Sequence, residues 1–167
     1  MTSGIAALTY ESHPGWSAKA IKAQLMNTAD HDVLSEDRST KMGPLRVGTG
    51  RVDAYEAVNN QATVAATDDP TAVTGEFGIV QVPRAGYSRS KSFTVSNKAD
   101  KPVTYSLSYQ ARVSTPGVDY QLDKKTITVP ANGSANFTVT LSIPDQSLLR
   151  HTRDTTQPVK NPASSDY

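Results

Sequence analysis

The feature that most limits how this chain can fold is a change in the spacing of its apolar residues near Ala62. Before that point they recur at three- and four-residue intervals. After it they recur at every second position. Val103, Tyr105, Leu107 and Tyr109 alternate with Thr104, Ser106, Ser108 and Gln110, and Phe137, Val139, Leu141 and Ile143 alternate with Asn136, Thr138, Thr140 and Ser142. Shorter versions lie at Phe93 and Val95 and at Ile127 and Val129. A period of two buries one face of a strand and wets the other, the pattern of an antiparallel sheet with one solvated side. Turn signals separate the runs at Asn97 to Pro102, Pro116-Gly117 and Asn132-Gly133. Asn-Gly suits the positive φ angles of a tight hairpin. Six or seven strands over about 80 residues fit an immunoglobulin-like or fibronectin-type sandwich.

The first 61 residues read as helical. Ile5, Leu8 and Ser12 share helical spacing before a break at His13-Pro14-Gly15. Ser17 is placed to cap a second helix with Ala18, Ile21, Leu25 and Thr28 along one face, and Asp53 to cap a short third helix through Ala54, Ala57 and Val58. Leu34 to Thr49 is polar and glycine-containing and reads as a loop, while Gln146 to Tyr167 reads as a polar tail or the start of a further segment. The expected units are therefore residues 1–61, 62–145 and 146–167.

Composition excludes several functions. The net charge of +1 offers no footprint for nucleic acid or a membrane surface. With no cysteine, disulfide scaffolds, thiol catalysis and cysteine zinc sites are ruled out. No apolar run reaches the roughly 20 residues needed to span a bilayer, and the residues after Met1 carry no charged and apolar leader pattern.

Two stretches carry a family resemblance. Ser3-Gly4-Ile5-Ala6-Ala7-Leu8, His13-Pro14-Gly15-Trp16-Ser17 and Leu25-Met26-Asn27-Thr28-Ala29 resemble the subtilisin-like serine proteases, where the helix bearing the nucleophile runs through Gly-x-Ala-Ala-Leu into a His-Pro-x-Trp corner. Gly48-Thr49-Gly50-Arg51-Val52-Asp53-Ala54-Tyr55-Glu56-Ala57-Val58 looks like that family's closing segment. In the β-rich half, Phe77-Gly78, Phe93 to Asn97, Val103 to Tyr105 and Val129 to Ser134 look like the fibronectin-III-like domain that follows the catalytic domain in large subtilases. The resemblance implies an α+β chain: a short helical remnant of a subtilase α/β domain, then an antiparallel fibronectin-III/immunoglobulin-like β-sandwich. It also implies an extracellular or cell-envelope setting, with the upstream part of the protease domain and protein substrates as partners, and Ile5, Leu8, Trp16, Ile21 and Leu25 buried against a parallel sheet outside this chain.

The same register places the family's nucleophile, in Gly-Thr-Ser-Met-Ala-x-Pro-His, upstream of Met1, and its other catalytic groups further upstream. No catalytic residue, cofactor site or metal site is therefore expected here. Thr2-Ser3 lacks the rest of that motif, so Ser3 is not expected to be a nucleophile. His13 reads as structural, and His31 and His151 as solvated. The acidic run Asp30, Asp32, Glu36 and Asp37 lacks a calcium-loop layout and reads as a solvated loop. Asn132-Gly133-Ser134 and Asn136-Phe137-Thr138 match the glycosylation sequon, although a hairpin turn explains the first without sugar. Tyr87, Tyr105, Tyr109 and Tyr120 could line a carbohydrate or peptide face, but their alternate spacing reads as packing. A stand-alone binding or adhesion module and a hydrolase with an unrecognised Ser-His-Asp site remain as other readings.

Overall fold

A computed structural model of the chain describes residues 1–39, 41–112 and 115–149. Four helices come first: α1 (Thr2–Ser12), α2 (Ala18–Asn27), α3 (Pro44–Val47) and α4 (Ala54–Asn59). Six strands follow: β1 (Ala62–Ala66), β2 (Tyr87–Asn97), β3 (Val103–Ser106), β4 (Asp119–Leu122), β5 (Thr126–Val129) and β6 (Ser134–Ile143). A single 3₁₀ turn, Gln146–Leu148, closes the described part. The chain is thus mixed α and β, mostly β, with antiparallel sheets.

Both expected caps form. The Ser17 hydroxyl accepts from the Ala20 amide at 3.2 Å, and the Asp53 carboxylate accepts from the Glu56 amide at 3.0 Å. Each satisfies one of the first-turn N–H groups that a helix leaves unpaired. The segment expected to be a loop contains α3, which starts at Pro44, where a missing N–H costs nothing and φ is already helical.

The strands form a four-stranded sheet in the order β1-β2-β6-β4 and a two-stranded sheet of β3 and β5, every pairing antiparallel. Strands β2 and β6 pair from Tyr87 opposite Ile143 to Ser96 opposite Ser134. This register sends the residues to two unlike faces. Phe93, Val95, Ala135, Phe137, Leu141 and Ile143 face inward, where Phe93 and Phe137 stack with ring centroids 5.3 Å apart. Ser88, Ser90, Ser92, Thr94 and Ser96 face outward beside Ser142, Thr140, Thr138, Asn136 and Ser134. Ser90 and Thr140 join hydroxyls at 2.9 Å across that outer face. The core lies where the two sheets meet: Val95 with Ile127 and Val129, flanked by Val64, Tyr105, Leu107, Ala135 and Phe137. Gly75 passes so close to the Phe93 ring that a β-carbon there would overlap it.

The alternation through Tyr109 overstates β3, which ends at Ser106. Its partner β5 begins only at Thr126, so one further bond, Leu107 N–H to the Lys125 carbonyl, is all that extends the pairing. Beyond it the chain turns so that Tyr109 meets Tyr120 on the other sheet.

The helices dock on the β region. Helix α2 lies against β1, with the Val64 amide donating to Asn27 Oδ1 at 2.6 Å and Lys19 Nζ to the Asp69 carbonyl at 3.1 Å. Its buried arc is Ile21, Ala23 and Gln24, wider than the expected stripe, because the sheet covers one side and α1 and α4 the other. Gln24 is fully buried and ties α2 to α4, donating from Nε2 to the Ala57 and Asn60 carbonyls at 3.1 and 2.7 Å. On α1 the buried side carries Thr9 and His13, while Leu8 of the expected apolar stripe is 52% exposed. Gly4 has open space around it.

Candidate functional site

Ser3 sits in the exposed first turn of α1, whereas His13 caps its other end. Ten residues of helix separate them by about 15 Å, far beyond the hydrogen-bond reach a nucleophile and its base require. His13 is buried and stacks on Trp16, with centroids 4.0 Å apart and planes within 13°. Its Nε2 has no hydrogen-bond partner among the described residues. The ring therefore acts as packing at the corner between α1 and α2. His31 is exposed and sets Nδ1 3.2 Å from the Ala29 carbonyl, which an Nδ1–H tautomer satisfies. His151 lies outside the described residues.

Asp30, Asp32 and Glu36 of the acidic run line an open cleft of about 570 Å³ with Val33, Leu34, Val47, Gly50, Arg38 and Arg51, but the carboxylates of the run turn to different partners. Asp30 pairs with Arg51 at 3.0 Å and also bridges it through the backbone. Asp32 pairs with Lys41 at 3.1 Å and with Arg112. Asp37 accepts from the Ser35 and Ser39 hydroxyls at 2.5 and 2.8 Å. Among the described residues, no three His, Asp or Glu side chains converge in a way that could hold a metal. The Lys41 hydrogen bond, reinforced by the charge of Arg112 against a partial burial cost, holds the Asp32 carboxyl below its ordinary value. Asp37 is lowered by the bonds from Ser35 and Ser39.

Arg112 carries a contact that no local signal announces. It stands in the chain after β3, yet it reaches back 80 positions to Asp32 in the loop after α2. Together with Asn27 and Lys19, it joins the helical and β regions at separate points.

Three of the four tyrosines pack. Tyr105 lies against the core, Tyr87 is half-buried opposite Ile143, and Tyr120 is half-buried between Phe77 at 5.9 Å and Tyr109 at 5.1 Å. Tyr109 keeps half its surface exposed. Burial, then the neighbouring Tyr120 and Asp119, pushes its hydroxyl above the ordinary tyrosine value. Asn132 and Asn136 of the two sequons are both exposed, the first in the β5–β6 turn and the second within β6. No described helix is long and apolar enough to cross a membrane.

No family model matches the chain. Among curated proteins, it is 30% identical over 151 residues to a C5a peptidase of Streptococcus pyogenes serotype M1, a match covering 84% of this chain and 12% of that protein. It is 26% identical over 157 residues to subtilisin-like protease SBT3 of Solanum lycopersicum, covering 88% of this chain and 20% of that protein. A C5a peptidase of serotype M6 is 33% identical over 129 residues, covering 71% and 10%. The chain thus spans a fifth or less of these relatives' lengths. Matches covering 84% and 88% of the chain take in both its helical and its β region. The chain is a region related in sequence to subtilisin-like proteases.

Proposed function

We propose that this chain is a non-catalytic part of a secreted subtilisin-like serine endopeptidase, whose nucleophilic serine lies upstream of Met1. In this reading residues 1–61 are the C-terminal end of the catalytic domain and residues 62–145 are a fibronectin-III-like sandwich. Proteolysis of protein substrates, outside the cell or at its envelope, belongs to the whole enzyme. The observation that carries the proposal is one sequence match running through both regions yet covering only 12% of a C5a peptidase. The exposed, His-free setting of Ser3 agrees with it. So does the meeting of two antiparallel sheets around Val95, Ile127 and Val129, the layer arrangement of a sandwich.

The helical region gives the rest of the enzyme something to pack against. Leu8 and Tyr10, on opposite sides of α1, are both exposed, as is Met1 before it, and large apolar side chains left without a partner are where further protein would sit. The β region braces the helices through Asn27, Lys19 and Arg112.

A fluorophosphonate probe, which labels activated serines, tests the reading on two proteins: the 167-residue chain, and the chain extended through the reading frame that precedes it. Labelling of the extended protein alone is expected, on a serine in a Gly-Thr-Ser-Met-Ala-x-Pro context. Labelling of the chain itself that disappears in Ser3→Ala, or a preceding frame without that motif, would sink the proposal.

A further inference from the structure

Four of the six described asparagines hold their side-chain amides in hydrogen bonds. Asn27 accepts from Val64, Asn59 donates to the Tyr55 carbonyl, Asn60 accepts from Ala62, and Asn97 donates to the Lys101 and Pro130 carbonyls. Asn132 and Asn136 make no side-chain hydrogen bond among the described residues. These two differ in the residue on their C-terminal side. Asn136 lies within β6 and precedes Phe137, a β-strand residue with its backbone fixed opposite Phe93. Asn132 lies in the exposed β5–β6 turn at φ 49° and precedes Gly133, whose nitrogen has no neighbouring β-carbon to shield it.

From this arrangement we infer that Asn132-Gly133 is a site of spontaneous backbone modification, in which the asparagine loses its amide. The Gly133 nitrogen gives up its proton and attacks Cγ of Asn132, forming a new N–C bond. The Cγ–Nδ2 bond breaks, and the nitrogen leaves as ammonia after gaining a proton. The product is a five-membered succinimide. Water then adds to one of its two carbonyls and opens the ring. Opening one way leaves aspartate. Opening the other way leaves isoaspartate, whose main chain runs through the former side chain. The net change is addition of water and loss of ammonia, with no oxidant or cofactor.

The turn sets both the speed and the consequence. Gly133 N–H donates to the Pro130 carbonyl at 3.1 Å, and its own carbonyl accepts from Asn97 at 2.9 Å. The attack requires the first of these bonds to open, so the native turn converts more slowly than the unfolded chain. Isoaspartate inserts an extra main-chain carbon between β5 and β6. That displaces Asn132 N–H from the Ala99 carbonyl, 3.0 Å away, and Gly133 from Asn97. The modification therefore loosens the turn on which β6 starts.

The test is incubation of the full chain at mildly alkaline pH, native and in urea, followed by peptide mapping for amide-to-acid conversion. Isoaspartate is counted by enzymatic methylation of the isoaspartyl carboxyl. Conversion at Asn132 ahead of Asn136 and Asn97 is expected, faster in urea, with methylatable isoaspartate as a product. Gly133→Ala is expected to slow the reaction strongly. Because a β-carbon there would come within 3.1 Å of Pro130, Asn132→Gly serves as a second variant, which keeps the left-handed turn and removes all methylation at this position. Equal conversion at Asn132 and Asn136, or isoaspartate that persists in Asn132→Gly, overturns the inference.

Discussion

Replacing Asn97 tests how much of the β region rests on one buried amide. Asn97 is 1% exposed at the end of β2. Its Nδ2 donates to the Lys101 and Pro130 carbonyls at 2.8 and 3.1 Å, and its Oδ1 accepts from the Ala99 amide at 3.0 Å. One side chain thus holds the β2–β3 turn against the β5–β6 turn. Asn97→Ala removes these three hydrogen bonds and a longer one of 3.4 Å to the Val129 carbonyl; the three shorter ones, at ~1 kcal/mol each, make the loss about 3 kcal/mol. With a urea dependence of roughly 2 kcal/mol per molar, the unfolding midpoint falls by ~1.5 M. Asn97→Asp keeps the shape but presents a carboxylate, without donors, to the same carbonyls. Burying an unpaired charge there costs more than the truncation. Acid narrows the gap between the two variants, because a protonated Asp regains one donor. The assay is urea unfolding followed by far-UV circular dichroism, at neutral and acid pH. An Asn97→Asp protein within ~0.5 kcal/mol of the parent would refute the reasoning, since that is the range of an inert surface change.

Two other perturbations address the joint between the helical and β regions. Asp32 is held below its ordinary value, so the stability it contributes is present above the unfolded value of about 3.9 and is lost as pH falls from there through the folded value. Asp32→Asn should flatten that acid limb of the unfolding midpoint and weaken its salt dependence; an unchanged limb would remove Asp32 from the joint. Asn27→Ala should speed hydrogen exchange at the Val64 amide and cost about 1 kcal/mol, and unchanged protection at Val64 would show that the bond contributes nothing.

What could be read from the sequence was what local chemistry decides. Ser17 and Asp53 announce their helices because a cap acts within three residues. Asn132-Gly133 announces a turn, because positive φ at Asn132 is itself a residue preference, but not the tight hairpin expected there: Gly133 is not at positive φ, and β5 and β6 belong to different sheets. The alternation in β6 gave its buried face, since pleating sends successive side chains to opposite sides. Contacts between distant segments had no such signal. Arg112 and Asp32 look like two surface charges until the fold brings them together. Gln24 is a common helix former whose burial depends on where α4 ends. Strand β4 is four residues of mixed polarity and gains its identity only by pairing with β6. On α1 the apolar spacing pointed to Leu8, yet the neighbours within this chain cover Thr9 and His13.

The outward face of β2 and β6 is paved with side chains that carry no charge. Nine of the ten side chains that alternate along those two strands on that face are serine or threonine, and the tenth is Asn136. Charged groups border that face rather than stand on it: Asp119 on β4, Asp123 and Lys124 bonded to the backbone at Thr138 and Asn136, and Lys19 and Lys98 near Thr94 and Ser96. The paired charges of Asp30, Asp32, Lys41, Arg51 and Arg112 gather instead around the loop after α2. Salt and acid therefore act unevenly on the two. They loosen the loops that join helices to strands, while the serine and threonine side chains of the outer face have no proton to gain or lose and keep their bonds.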